Sequence, residues 1–144
     1  WGANAGVHFN DLLPLPFTEE SVRHVADRIR QFQDVVGRSI LIENVSSYVH
    51  FAESTLAEWE FLAELVARTD CGILLDVNNV YVNAINHRFE AFDFLNGLPS
   101  NAIGEIHLAG HTRTTVDGAT LCIDTHHREI CADVWELYAH ALRR

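Results

Sequence analysis

Apolar residues recur at three- and four-residue steps between Thr18 and Val36, which is the spacing of one face of an α-helix. The repeating positions are Val22, Val25, Ile29, Phe32 and Val36. Glu19 and Glu20 suit the first turn of a helix, and Gly37 stands where a glycine commonly ends one. The pattern therefore predicts a helix over 18–36 that buries this apolar face.

The same period predicts helices over 55–68 and 130–142, and a short helix is expected around Glu90–Asn96. Thr55-Leu-Ala-Glu58 has the form of a capping box, which places the start of the second helix at Thr55. The positions expected to face the core are Leu56, Trp59, Leu62, Ala63, Val66, Val134, Leu137, Tyr138 and Ala141. The segment 109–127 is expected to be a loop.

Three short apolar runs are typical of strands that are covered on both faces of a parallel sheet. They are Ser39–Asn44, Cys71–Asp76 and Ala102–Leu108. Because helices and strands alternate, residues 1–144 are predicted to form a single α/β domain, a partial (β/α) barrel of the TIM type with parallel strands. A complete barrel takes roughly 250 residues, so about half of one is expected, truncated at both ends.

Half a barrel would leave strand edges and apolar surface exposed, and each Å² of apolar surface kept from water stabilises by roughly 25 cal/mol. The isolated chain is therefore expected to self-associate and to lack catalytic activity.

Composition excludes several classes of protein. The 144 residues include 20 acidic and 10 basic side chains, and the net charge of −10 disfavours a nucleic-acid-binding protein. No apolar run approaches the roughly 20 residues that span a bilayer, and no signal peptide is visible, so a cytoplasmic protein is expected. Cys71, Cys122 and Cys131 form no Cys-x-x-Cys pair and are expected to be free, buried thiols.

Each predicted strand ends in a residue of a type that binds metal ions. Glu43-Asn44 ends the first strand, Asp76 the second and His107 the third. Since the carboxyl ends of parallel strands open on one face, these side chains are expected to meet there. Carboxylate, imidazole and amide groups without a thiolate favour iron or manganese over structural zinc.

A second set of candidate ligands follows in the connecting segments: Asn78 or Asn79, His111, Asp124 and His126. Asp124 and His126 are two residues apart in a segment expected to be extended, so their side chains would point the same way. Strand parity favours Asn78 as the amide that lies beside Asp76.

Several short motifs occur in order along the chain: Asp11-Leu-Leu-Pro-Leu-Pro16, Leu41-Ile-Glu-Asn44, Glu58-Trp59, Leu74-Leu-Asp-Val-Asn-Asn-Val-Tyr81, Asn86-His87, Glu105-Ile-His-Leu-Ala-Gly-His111 and Ile123-Asp-Thr-His126. Together they resemble the multinuclear non-heme iron-dependent oxidative enzymes, the group that includes the methanobactin-biosynthesis oxidase. The resemblance implies a barrel with two or three iron ions. It also implies dioxygen-dependent oxidation of a cysteine in a ribosomally made precursor peptide, and a partner protein that binds the peptide leader.

The resemblance further implies roles for individual residues. Glu43 would bridge irons, and Asp76 and His107 would complete one site. A neighbouring site would use Asn79, His111, Asp124 and His126, so the resemblance favours Asn79 where strand parity favours Asn78. The sequence departs from the family at Arg88, where a glycine usually follows Asn-His. The family also carries histidine and glutamate ligands in flanking strands, and these are not within this chain. His8 is a possible substitute for one of the histidines.

Two other interpretations stay open. The first is a divalent-metal isomerase or phosphodiesterase of the sugar-isomerase-like barrels, which ranks lower because lysine is absent and no arginine ends a strand. The second is a catalytically inactive fragment. Manganese or zinc remains an alternative to iron.

Overall fold

The computed structural model describes residues 2–4, 6–9 and 14–144. The motif residues 11–13 and the side chain of His8 lie outside what it describes. In chain order the elements are β1 (Gly2–Asn4), β2 (Val7–Phe9), α1 (Glu19–Val36), β3 (Leu41–Glu43), α2 (Glu58–Thr69), β4 (Gly72–Asp76), α3 (Val77–His87), α4 (Ala91–Gly97), a 3₁₀ turn (Ser100–Ala102), β5 (Ile103–His107), β6 (His111–Val116), β7 (Ala119–Asp124) and α5 (Ala132–Ala141).

Strands β3, β4 and β5 form a parallel sheet with β4 in the centre. Glu43 pairs in register with Leu74, and Asp76 pairs with His107. The three predicted strands therefore end side by side, and the prediction of a mixed α/β fold with parallel strands is confirmed.

The main core lies beneath one face of this sheet. Ile73 and Leu75 of β4 are fully buried there against apolar side chains of α2 to α5: Leu62, Val80, Phe94, Leu95 and Val134. The expectation that every strand is covered on both faces is wrong for β3 and β5, because no second layer among the described residues covers the other face. Leu41 is 41% exposed, and Glu105 and His107 are exposed as well.

Helices α1 and α2 pack on each other through a second core cluster: Val22, Ala26, Ile29, Phe61, Leu65 and Cys71. The inward placement of Phe32 and Val36 is a wrong prediction, since Phe32 is 57% exposed and Val36 is 41% exposed. The buried face of α1 runs through Val22, Ala26 and Ile29 to Gln33, whose amide donates to the Thr69 carbonyl at the end of α2. Phe32 is about 100° away from Gln33 around the helix, and Val36 follows in the last turn, beyond this contact.

Helix α2 begins at Glu58 rather than at Thr55, so the predicted capping box is wrong. The backbone N–H of Thr55 instead donates to the Phe17 carbonyl, which ties this segment to the chain before α1. Ala57 precedes the helix, and its N–H donates to the Glu60 carboxylate at 2.8 Å.

The predicted loop over 109–127 is also wrong, because most of it forms an antiparallel hairpin of β6 and β7. Asp117 and Gly118 connect the strands with positive φ angles of 50° and 80°, as the two-residue turns of hairpins require. The hairpin is fixed to α3 by the side-chain amide of Asn86, which bonds both the N–H and the carbonyl of Cys122.

The three cysteines are free, as predicted; Cys71 and Cys122 are buried and Cys131 is partly buried. Among the described residues, no helix is long and apolar enough to cross a membrane.

Candidate metal centre

The ends of β3, β4 and β5 bring together the three side chains that the sequence placed there. Glu43, Asp76 and His107 each offer one ligand atom, and these atoms lie within 4.8 Å of one another. We call these residues the strand-end group. The carboxylate of Glu43 is 3.9 Å from Nδ1 of His107, which is too long for a hydrogen bond, so an ion could lie between them.

Asp76 is held in place from two sides. Asn44, buried at the end of β3, accepts from the backbone N–H of Asp76 at 2.8 Å and donates to its carbonyl at 2.9 Å. The carboxylate of Asp76 caps α3 by accepting from the N–H of Asn79 at 2.8 Å. The position of this carboxylate is thus determined by backbone contacts before any ligand binds.

Burial raises the pKa of Asp76, and the nearby carboxylates of Asp124 and Glu43 raise it further, against the opposing effects of the Asn79 N–H and His126. A concentration of negative charge around a buried carboxyl is stabilised by a bound cation.

His107 also contacts an acid that the sequence interpretation did not select as part of the site. Its Nε2 lies 3.0 Å from the carboxylate of Glu105, which is two residues earlier on the same strand and therefore on the same face. Glu105 and His107 are two residues apart on a predicted strand, and this spacing could have indicated that their side chains lie on the same face.

The two asparagines after Asp76 lie in α3, so strand parity does not apply to them. Asn79 is buried, its amide nitrogen donates to the Asn44 carbonyl at 2.9 Å, and its Oδ1 has no hydrogen-bond partner among the described residues. A buried amide oxygen normally has a partner, so Oδ1 is a candidate ligand atom.

The remaining candidates meet at the base of the hairpin, and we call Asn78, His111, Asp124 and His126 the hairpin-base group. Asn78 donates to Asp124 at 2.8 Å, and its Oδ1 is 3.0 Å from Nδ1 of His111. Nε2 of His126 is 3.2 Å from the same Asp124 carboxylate.

The expected extended course through His126 is not observed, because His126 has a positive φ of 56°. It nevertheless contacts Asp124, since its backbone N–H donates to the Gly110 carbonyl at 3.0 Å and holds the segment against the start of the hairpin.

Asp76 and His107 of the strand-end group and His126 of the hairpin-base group line one cavity of about 480 Å³, together with Arg128. Arg128 was missed in the sequence because it follows a hairpin rather than a strand end of the parallel sheet. His126 is thus the residue of the hairpin-base group that shares a cavity with the strand ends.

His87 and His140 bond to groups outside both candidate groups. Nε2 of His87 is 2.7 Å from the Ser47 hydroxyl, and that of His140 is 2.9 Å from Oδ1 of Asn96.

Comparison with known proteins agrees with this geometry. The family model of the RiPP precursor modification enzymes MbnB/TglH/ChrH, which act on ribosomally synthesised and post-translationally modified peptides, matches residues 1–144. The chain belongs to this family. The resemblance that the ordered motifs indicated is thereby confirmed.

Over the aligned residues, the relatives are identical to the chain at about half of the positions. A UPF0276 protein of Anaeromyxobacter sp. (strain Fw109-5) is 56% identical over 144 residues, which are 100% of this chain and 50% of the relative. A UPF0276 protein of Vibrio parahaemolyticus is 50% identical over 97% of this chain and 49% of the relative, and one of Rhizobium meliloti is 50% identical over 96% and 45%. The chain thus spans about half the length of the curated relatives that it matches.

Proposed function

We propose that the intact protein is an iron-dependent oxidase that modifies a cysteine of a ribosomally made precursor peptide with dioxygen as the oxidant. Membership of a family of precursor-peptide modification enzymes supports the peptide as the substrate. The observation that carries the proposal is the convergence of the Glu43, Asp76 and His107 ligand atoms within 4.8 Å at neighbouring strand ends.

The donor set fits iron. Carboxylate and imidazole groups without a thiolate suit a borderline ion, and the buried Asn79 oxygen without a partner offers a further oxygen ligand. We propose that Glu43, Asp76 and His107 hold one ion. Asn79, His111, Asp124 and His126 would serve a second, and two or three ions would be bound in the intact protein. Manganese and zinc are the alternatives.

Iron, when bound, would supply the redox chemistry with dioxygen. The side chains of the protein would bind the ion, and their neighbours orient these side chains. A proton on Nε2 of His107, donated to Glu105 at 3.0 Å, would leave the Nδ1 lone pair facing Glu43. Asn44 and the N–H of Asn79 hold Asp76, so the cavity keeps its shape before the substrate arrives.

A cysteine-containing precursor peptide and a partner protein that binds its leader are parts of the same proposal, as is a cytoplasmic location. The sugar-isomerase-like alternative receives no support, since the family that matches the whole chain acts on precursor peptides.

The test uses the intact protein purified without oxygen. Metal analysis is expected to find iron, and mass spectrometry is expected to find an oxidised cysteine in a co-expressed precursor peptide when oxygen is admitted. Glu43→Gln is expected to abolish both, whereas Glu53→Gln, at an exposed residue away from the site, should change neither. Stoichiometric zinc without iron, together with a Glu43→Gln variant that still modifies the peptide, would contradict the proposal.

A further inference from the structure

A second cavity, of about 200 Å³, lies between the start of α2, the end of α3 and the segment 47–51. None of the candidate metal ligands lines it. Its walls are largely apolar and aromatic, with Phe17, Leu56, Trp59 and Phe89 among them, and Val49 and Phe51 are exposed at its rim.

Among the described residues that line this cavity, Glu58 has the only carboxyl group. It accepts one hydrogen bond from the part of the chain that the structure describes, from the amide nitrogen of Asn83 at 3.2 Å, and it forms no ion pair there. The Asn83 amide cannot turn away, because it also donates to the Val45 carbonyl and accepts from the Ser47 N–H. A carboxylate can accept about four hydrogen bonds, so Glu58 retains unused acceptor capacity.

In the described part of the chain, no cationic side chain forms an ion pair with this carboxyl. Burial raises the pKa of Glu58 to about 7, against the hydrogen bond from Asn83. The two imidazoles in the lining are His50 and His87, and burial lowers the pKa of His87, as does the proximity of His50. At pH 8 the cavity therefore has one negative charge opposite a neutral His87, within a chain of net charge −10.

We propose that this cavity binds the side chain of a lysine or arginine of a peptide, with the charged end against Glu58. An aliphatic stem suits the apolar walls, and a cation is attracted to aromatic faces such as those of Phe17 and Trp59. The volume is below the roughly 300–1,000 Å³ of sites for larger ligands, which favours a single side chain.

The geometry also relates the cavity to the metal centre. Glu58, Pro14, Leu15 and Phe17 line an adjoining apolar cleft of about 270 Å³, and Glu43 of the strand-end group lines that cleft too. A peptide anchored at Glu58 would thus lie beside the metal ligands. That this peptide is the precursor substrate rests on the proposed function, whereas the binding of a basic side chain does not.

The experiment measures binding to the intact, metal-free protein, so that it is independent of oxidase activity. The probes are the peptide Gly-Gly-Lys-Gly-Gly and its norleucine counterpart, which has the same stem without the charge. Binding is followed by tryptophan fluorescence, with Trp59→Phe identifying the signal from the cavity. The lysine peptide is expected to bind on the order of tenfold more tightly at pH 8 than the norleucine peptide.

Glu58→Gln should remove that preference, while Glu53→Gln, which removes an equal charge from an exposed position, should keep it. The preference should also weaken from pH 8 to pH 6, as Glu58 takes up a proton. Equal affinities for the two peptides, or equal effects of the two Glu→Gln changes, would overturn the proposal while leaving the metal centre untouched. Absence of binding by either peptide, as when another part of the intact protein fills the cavity, would overturn it as well.

Discussion

The strand-end group and the hairpin-base group contain the same kinds of side chain but differ in how these contact one another. In the strand-end group the ligand atoms converge without hydrogen bonds among them, and the carboxylate of Glu43 is 3.9 Å from the His107 ring. In the hairpin-base group, Asn78 and His126 reach Asp124 at 2.8 and 3.2 Å. Polar side chains that lie close together without hydrogen bonds to one another are stabilised most by a bound ion. Side chains that already form hydrogen bonds with one another are stabilised less by it. The strand-end group is therefore the better-supported metal site.

The largest effect is expected from Glu43→Gln. Removing the charge of a proposed direct ligand should weaken the iron affinity of the intact protein by more than the roughly 10–100-fold that is typical of changes outside the ligand shell. Competition with a chelator, followed by metal analysis, measures it. An affinity within threefold of the parent protein would remove the distinction between the groups.

Glu105→Gln should have the next largest effect, a loss of iron affinity on the order of 10–100-fold. In the hydrogen bonds described, Glu105 contacts His107 and neither Asp76 nor Glu43, so it would orient one proposed ligand and leave the other two in place. The same chelator competition applies. Asn96→Asp, which alters the partner of the distant His140, is a matched control that should leave iron affinity unchanged.

A pH series tests whether raised carboxyl pKa values belong to the metal centre alone. Burial raises the pKa values of both Asp76 and Glu58. Of the two, Asp76 belongs to the strand-end group and Glu58 does not. Below pH 4 both the folded and the unfolded states hold the Glu58 proton. Between about 4.5 and 7 the unfolded state releases it first, so the free energy of unfolding falls as the pH rises through this window.

Glu58→Gln should therefore be more stable than the parent protein at pH 8, by about 1–3 kcal/mol, and similar to it at pH 4. Urea unfolding of the intact, metal-free protein at the two pH values measures the difference. A parent protein that gains stability relative to the variant as the pH rises would show that the Glu58 carboxylate has a cationic partner already.

The smallest effects are expected from Asp124→Ala and His126→Ala, which should each lower the metal content of the intact protein without unfolding it. His126 is 59% exposed, so its loss leaves little unfilled space in the core. A cooperative loss of stability with unchanged iron would show that the hairpin-base group is structural, and this outcome would sharpen the contrast with the strand-end group.

Much of the fold could be predicted because local patterns agreed with tertiary packing. The apolar runs that end at Glu43, Asp76 and His107 form adjacent parallel strands, since each run is short and bounded by polar residues. The hairpin was not predicted because β6 is rich in threonine and mostly exposed, and lacks the apolar alternation of a half-buried strand. The Asp117-Gly118 turn was the signal that could have revealed it.

Helix α3 was missed for a different reason. It starts directly after Asp76, with no loop between, and it buries Asn78, Asn79 and Asn83 along with its apolar residues, so no polar face marks its period. Their amide nitrogens donate to groups far away in the sequence, as that of Asn83 does to the Val45 carbonyl. Helix propensity and apolar periodicity depend only on residues that are close along the chain, so they cannot predict hydrogen bonds between distant residues.

The sequence by itself determined which residue types stand at the strand ends, because an apolar run followed by an acid or a histidine is a local feature. Only the tertiary structure decided which of Asn78 and Asn79 contacts the strand-end group and which belongs to the hairpin-base group. Consecutive residues on a helix are about 100° apart, so Asn79 turns to Asp76 and Asn44 while Asn78 turns to Asp124 and His111. That division depends on where β7 packs against α3, and the hydrogen bond between Asn78 and Asp124 joins residues 46 positions apart.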